Sequence, residues 1–423
     1  MMTSSASPPG AHLPTSPGGQ SIPRLQELSF LEVAARGVSA GSTFEDIRRQ
    51  LVAHMIELRR NQPGTGNTAT FQLAQQDPKR YVRNATESLK ELMRLGLVVP
   101  ATLPSSARAA RGYTNSTFAL TNAGQGWARI LEEDLRQAYD ELLGMLWKTH
   151  PQFEGFLRVI SANSAGLVVP LAQWGQLPLP RTRERYVEFL TERVATALEA
   201  DELGWAATTS EIRTEITSYI EGIRQSAQER NRPDPHPRNQ DFVRGCEEAL
   251  VRFAFRQAGL SLDYISQEIL RRWTKVLGVA SFSYHVPGST ALRIWPTATL
   301  DVKGGVIHTR RRTGTEQSAR VITMLREAYD EVRKDNPSRS LWVPIYRVRA
   351  AACYRLLISD TVFDRALIKL LRNDLDLDVP FGVNIDPAQY GNVPPTELPL
   401  QVETSRGVRN YFSMSLVPRR EKE

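Results

Sequence analysis

Apolar residues recur at three- and four-residue steps along most of this chain, and those steps predict helices. Phe44, Ile47, Leu51, Met55 and Leu58 form one such stripe, with Ser42 and Thr43 placed to cap it. Leu25 to Ala35 is apolar enough to dock on the same domain, and Thr68 to Gln75 is expected as a short second helix. From Asp77 to Gly96 a third helix carries Val82, Ala85, Leu89 and Leu92 on one face. Asp77-Pro78 suits its start, and Gly96 supplies the left-handed residue that a helix stop needs. Leu97 to Val99 reads as a strand, Thr117 to Leu120 as its return, and Thr121 to Gly124 as the start of a helix. That helix is expected to run unbroken from Ala123 to His150, carrying Trp127, Ile130, Leu131, Leu135 and Leu142.

Further along, "GLVVPLAQWG" from Gly166 fits either a buried strand or a short helix. Thr182 to Leu198 and Thr209 to Arg230 are amphipathic helices with mixed-charge outer faces. The polar, proline-rich Asn231 to Asn239 marks an internal boundary. Asp241 to Ala258 is helical, and Ala280 to Leu300 alternates as β-structure around His285-Val286-Pro287-Gly288. Asp301 to Gly314 has Gly304-Gly305 and then "HTRRRTG", whose three arginines are expected on a loop, and Glu316 to Val332 is expected as a helix with Val321, Ile322, Leu325 and Tyr329 inward. A C-terminal unit follows. Its elements are a strand at Leu341–Ile345, a short helix at Tyr346–Tyr354, a helix striped by Phe363, Leu367, Leu370 and Leu371, a long loop from Val379 to Pro399, and one closing strand from Val408 to Val417.

Helix, strand, basic loop, strand is the order of a winged helix. "LMRLGLVV" from Leu92 and "ARAARGYTNSTFALTNAG" from Ala107 resemble the recognition-helix-and-wing segment of winged-helix DNA-binding proteins, including multiple-antibiotic-resistance-type regulators. The resemblance covers about a fifth of the chain, counted from a typical module size. It implies that the helix from Asp77 enters the major groove, with Arg80, Arg83 and Asn84 reaching base edges. Lys79, Lys90, Arg108 and Arg111 would then contact phosphates. In such regulators the helix after the wing often carries the dimer contact; packing within its own domain is the alternative for this one. The C-terminal unit also resembles a winged helix. Its outer positions Asp364, Arg365, Lys369 and Arg372 are mixed, and Asp374, Asp376 and Asp378 follow, which favours protein contact there over DNA contact. "QAGLSLDYISQEILRRWTKVLGV" resembles a helix-turn-helix with Gly259 in the turn, although Glu268 stands where that pattern takes an apolar residue. Arg271, Arg272 and Lys275 make the end of its second helix basic, which also suits a surface helix complementing its own dipole.

The expected fold class is therefore α+β and mostly helical, with tandem winged-helix units joined by a helical middle region. The divisions fall at a disordered tail (1–24), a winged-helix DNA-binding domain (25–150), a helical middle region (151–235), a helix-turn-helix-like region with β-structure and a basic loop (236–335), and a C-terminal winged-helix-like domain (336–423). The tail, rich in Ser, Pro and Gly, carries no Asp, Glu, Lys or Arg as far as Pro23.

The net charge, 53 − 46 = +7 over 423 residues, is modest, so its distribution matters more. From Asp77 to Ile130 eight Lys and Arg face three acids, an excess of 8 − 3 = +5, where a winged helix would meet phosphates. Arg310, Arg311 and Arg312 form the densest basic cluster, and on a loop they suit phosphate contact. Two cysteines, Cys246 and Cys353, build neither a disulfide framework nor a zinc site by themselves and fit a reducing compartment. No apolar run reaches the length of a membrane span and no charged stretch leads into an apolar core at the N-terminus, so the expectation is cytoplasmic with no membrane partner.

Catalytic signals are few. No phosphate-binding loop and no His-Glu-x-x-His occurs, no nucleophile elbow is expected, and the six histidines are scattered. Neither a cofactor nor a metal is expected. Asp301-Val302-Lys303 resembles the acid-x-Lys half of restriction-type nucleases, whose second acid would have to be the distant Asp263. The leading expectation is non-enzymatic duplex DNA binding, by a regulator or a DNA-binding subunit with a protein partner or as a homodimer. The alternatives are a scaffold or adaptor in a prokaryotic defence or chromosome-maintenance complex, and a Mg-dependent nuclease.

Overall fold

Strands of two to six residues cannot stand alone; each needs a partner strand and a helix over its apolar face. The computed structural model of this chain satisfies that need three times. It describes residues 28–38, 41–60, 78–101, 116–162, 166–169, 182–199, 207–236, 238–262, 264–289, 291–303, 305–335, 340–374, 379–387, 398–405 and 407–418. The expected tail, the expected second helix at Thr68–Gln75, and Asp77 lie outside those residues. The fold is mixed α+β and mostly helical, with small antiparallel sheets.

The first unit comprises α1 (Leu28–Gly37), β1 (Ser42–Thr43), α2 (Phe44–Arg60), α3 (Pro78–Arg94), β2 (Val98–Pro100) and β3 (Thr117–Leu120). The pair expected to cap α2 does so and also forms a strand. Thr43 Oγ1 accepts from the Asp46 backbone N–H at 3.3 Å, the Thr43 backbone N–H donates to Asp46 Oδ2 at 3.1 Å, and Ser42 and Thr43 pair with β3.

The helix expected over Ala123–His150 is broken in two, α4 (Asn122–Glu133) and α5 (Leu135–Thr149). Asp134 leaves the helical conformation (φ −145, ψ 93), and its carboxylate accepts from the backbone N–H groups of Arg136 and Gln137. The break lets the Trp127 indole donate to the Ala138 carbonyl at 2.9 Å, which a straight helix would not allow.

The second unit contains α6 (Pro151–Ala162), β4 (Leu167–Val169), α7 (Arg183–Glu199), α8 (Thr209–Glu229), α9 (Asn239–Gln257), α10 (Tyr264–Val276), β5 (Ala280–Ser283) and β6 (Leu292–Pro296). The stretch that fitted strand or helix is thus a strand at β4. It pairs with β6, Val168 opposite Arg293, so the expected regions 151–235 and 236–335 share one sheet. The boundary expected at Asn231–Asn239 falls inside one packed cluster, because Ile212, Ile216 and Ile220 of α8 bury against Phe242, Cys246 and Leu250 of α9. A hairpin of β7 (Ala298–Lys303) and β8 (Val306–Arg311) follows, so that Arg310 and Arg311, expected on a loop, lie on a strand.

The third unit comprises α11 (Thr315–Lys334), β9 (Val343–Pro344), α12 (Ile345–Leu356), α13 (Asp360–Leu371), β10 (Phe381–Asp386), the hairpin β11 (Leu400–Thr404) and β12 (Gly407–Tyr411), and β13 (Ser413–Pro418). α11, expected with the preceding region, buries Val321, Leu325 and Tyr329 in the core of this unit. The expected long loop contains β10, whose Phe381, Val383 and Ile385 alternate. The expected single closing strand is two, separated at Phe412, since β12 pairs with β11 and β13 with β10.

The sheet orders β1-β3-β2, β4-β6-β5 and β10-β13-β9 are one arrangement. In each sheet, the strand latest in sequence lies between the other two. The second unit differs by having α7 and α8 inserted after its first strand.

The core of the first unit continues without a break into the second, from Leu28 to Ala298. The second and third units meet along a seam in which Val286 and Trp295 bury in the core of the third unit and polar contacts surround them. Trp295 Nε1 donates to the Ile358 carbonyl at 3.0 Å, and Arg293 donates to the Tyr354 hydroxyl at 2.9 Å. Lys275 meets Asp360 at 2.6 Å, and the buried Arg349 meets Asp364 at 2.8 Å. Burial pushes Asp364 up to about 6, with Asp360 adding to the effect and Arg349 opposing it.

His285 sits in the same seam, its ring 4.7 Å from that of Tyr346. Burial, helped by the charge of Arg347, lowers it from 6.5 to about 4. Between those values the unfolded chain takes up a proton that the folded ring refuses. The stability due to the neutral ring is therefore complete above pH 6.5 and is lost as the pH falls toward 4. His285→Phe should reduce the loss of unfolding free energy between pH 7 and pH 5 by on the order of 2 kcal/mol, read from urea melts at both pH values. Equal losses in the two proteins would refute this.

Candidate nucleic-acid interface

The helix that sequence patterning marks as the reader of DNA is α3. Ala85, Leu89 and Leu92 are fully buried, as the periodicity requires. Its end is a complete glycine stop: the Leu97 N–H donates to the Leu92 carbonyl, the Gly96 N–H to the Met93 carbonyl, and Gly96 has φ +73. The chain then runs into β2, returns through β3 and starts α4 with Thr121. The Thr121 hydroxyl accepts from the Gly124 N–H at 3.0 Å and donates to the Gly96 carbonyl at 2.7 Å. A Cβ at Gly124 would stand 1.9 Å from the Leu97 carbonyl oxygen, so only glycine allows α4 this close to β2.

The last turn of α3 is anchored from behind. Glu91, 1% exposed, receives Arg94 at 2.6 Å on one oxygen and the His150 imidazole on the other. His150 in turn meets the edge of Trp273 of α10, the ring centroids 5.6 Å apart. A carboxylate removed from water in this way orients α3 against α5 and α10. Sequence reading gave Glu91 no role; the only signal was an acid next to the apolar stripe.

The residues expected to touch DNA divide into groups. The α3 backbone carries positions 79, 80 and 83 in its first two turns, and the side chains of Lys79, Arg80 and Arg83 lie outside the described residues. So do Arg108 and Arg111, between β2 and β3. Asn84 is half-buried, and Lys90 is exposed and paired with Glu87 at 3.1 Å.

Arg310, Arg311 and Arg312 do not act as one cluster on a loop. Alternation along β8 separates them. Arg310 is exposed, whereas Arg311, its side chain 10% exposed, donates twice to the Leu277 carbonyl and pairs with Asp140. Arg312 donates to the Leu357 carbonyl at 3.4 Å. The basic end of α10 is likewise engaged: Arg271 is buried over the ring of Phe282, Arg272 pairs with Glu268, and Lys275 with Asp360.

Asp301 and Lys303 pair with each other at 2.8 Å on an exposed hairpin, and Asp263 lies outside the described residues. Among the described residues no group of three or more His, Cys, Asp or Glu is placed to hold a metal ion, and no helix is long and apolar enough to cross a membrane. Both cysteines are buried thiols. Gly37-Val38-Ser39-Ala40-Gly41 does read Gly-x-Ser-x-Gly, although no elbow was expected. A nucleophile elbow joins a strand to a helix, whereas here α1 precedes the segment and β1 follows it. Ser39 lies outside the described residues.

Glu91→Ala should lower the unfolding free energy by about 3 kcal/mol in denaturant melts, because His150 and Arg94 lose a desolvated partner. A change under about 0.5 kcal/mol, the range of ordinary surface substitutions, would show that Glu91 anchors nothing. The chain matches no family model, no curated protein and no solved structure.

Proposed function

We propose that this chain binds duplex DNA without catalysing a reaction, as a regulator or as the DNA-binding subunit of an assembly, and that its three repeated units are winged helices. The observation that carries the reading is the strand order shared by the three sheets, together with α3 standing directly before the β2–β3 pair in the unit with the basic excess. In this reading α3 lies in the major groove. Arg80, Arg83 and Asn84 read base edges, and Lys79, Lys90, Arg108 and Arg111 hold phosphates on either side. The anchoring of Glu91 supports the same geometry, since a helix that reads bases must be held rigidly from its far side.

A second reading has one observation in its favour. The helices of the second and third units that stand where α3 stands in the first, α10 and α13, meet each other through Lys275 and Asp360. This arrangement favours protein contact for those two units, and with it an adaptor role in a larger complex, by a monomer or a homodimer.

Fluorescence anisotropy with a labelled random duplex at two salt concentrations separates the readings. Under the first, affinity falls steeply with salt, and Arg80→Ala with Arg83→Ala weakens binding by about tenfold or more. Unchanged affinity in that double variant would refute the role given to α3. No binding at low salt would leave the protein-contact reading.

A further inference from the structure

The inserted helices of the second unit carry a basic groove that no part of the α3 reading uses. It runs along α8, past the Asn231–Pro235 segment and against α9, with a volume of about 640 Å³. Arg230 closes α8, Arg232 follows in the connecting segment, and Arg252 comes from α9. Ile223, Pro233 and Pro235 supply apolar wall between them.

The pairing of charges around this groove is uneven. Elsewhere in the same helices four arginines have carboxylate partners, Arg224 with Asp234, Arg238 with Asp241, Arg244 with Glu248, and Arg256 with Glu215, whereas Arg213, near the start of α8 and away from the groove, has none among the described residues. Among the described residues Arg230, Arg232 and Arg252 have none. Arg252 instead lies over the ring of Tyr219, 5.0 Å from its centroid. Two acids stand nearby, and Glu248 also accepts from the Tyr219 hydroxyl at 3.4 Å. Asp234 holds Arg224 and the His236 N–H, and Glu248 holds Arg244. Three exposed guanidinium groups lining one groove repel each other and leave a positive potential that an anion would neutralise.

The length of the groove indicates which anion. From Tyr219, where Arg252 stands, to Arg230 is eleven residues of helix (230 − 219), or about 16 Å at 1.5 Å per residue. A single phosphate is far smaller than that. A nucleic-acid strand lying along it would set more than one phosphate against its arginines. The open groove and its apolar wall suit a strand lying lengthwise, with sugars against the prolines. We infer that the groove between α8 and α9 is a second nucleic-acid contact, holding consecutive phosphates of one strand through Arg230, Arg232 and Arg252. It neither needs α3 nor reads bases.

The test uses the full chain and a labelled random duplex in fluorescence anisotropy over a series of salt concentrations. The triple variant Arg230→Gln, Arg232→Gln, Arg252→Gln should bind about tenfold more weakly or worse. Its log–log salt slope should be smaller by about 2.7, or 0.9 per lost contact. The double variant Arg230→Gln, Arg232→Gln keeps the Arg252–Tyr219 contact and should lose about 1.8 of the slope, which guards against an effect of misfolding. A control with the same charge change elsewhere, Arg213→Gln, Arg326→Gln and Arg409→Gln, should keep the wild-type slope. Inorganic phosphate should displace the duplex no better than chloride at matched ionic strength.

An unchanged slope in the triple variant would overturn the proposal. So would an equal loss in the control, no binding by the wild-type chain, or displacement by micromolar phosphate, which would mark a site for one small anion. A groove variant that loses affinity while the Arg80→Ala, Arg83→Ala variant does not would uphold the groove and remove α3. The reverse result would do the opposite.

Discussion

A charge removed from water must be paired, and the joints between the units of this protein are built on that requirement. Glu91 at the end of α3 is held by Arg94 and by His150, whose ring rests against Trp273 of the second unit. At the next joint Lys275 meets Asp360, and behind it, within the third unit, the buried Arg349 meets Asp364 and the Leu398 carbonyl. Hydrophobic contact alone would let the units slide, because apolar surfaces have no preferred direction. Paired charges in apolar surroundings have one, and so they fix how each sheet is turned relative to the next.

The same pairing sorts the arginines, and with them the functional surface. Arginine is the residue of choice both for phosphate contact and for tying backbone carbonyls together. Here Arg311 and Arg312 do the second job, holding Leu277 and Leu357, although three adjacent arginines suggest the first from sequence. Arg271 is buried over an aromatic ring. Arg310 stays exposed on β8, and Arg230, Arg232 and Arg252 stay exposed along the α8–α9 groove.

What sequence could reveal depended on how local the cause was. The stop at Gly96, the strand Thr117–Leu120 and the cap at Thr121 all follow from a few neighbouring residues, and each lies where patterning put it. The break at Asp134 was hidden because Leu131 and Leu135 keep the helical step across it. β10 was hidden among glycine and proline, although Phe381, Val383 and Ile385 alternate as a strand should. The separation of Arg310 from Arg311 needed the strand, since only the pleat sends neighbours to opposite faces. The α8–α9 groove needed the packing of two helices joined by a segment that reads as a plain linker. In the second sheet the β5–β6 pair was legible as alternation over Ala280–Leu300, but the pairing of β4 was not, because Leu167–Val169 says nothing of a partner that lies in Leu292–Pro296.

That distant pairing has a consequence for how the protein is made. Val168 faces Arg293 across the sheet, 293 − 168 = 125 residues later in the chain. A ribosome working at about 5–20 residues per second would take about 6–25 s to supply the missing strand. Throughout that interval β4 waits with its apolar residues uncovered, while the inserted helices are already able to fold beside it. Pairing across so long a separation slows folding, and until it forms β4 is a place where a nascent chain needs protection from its neighbours.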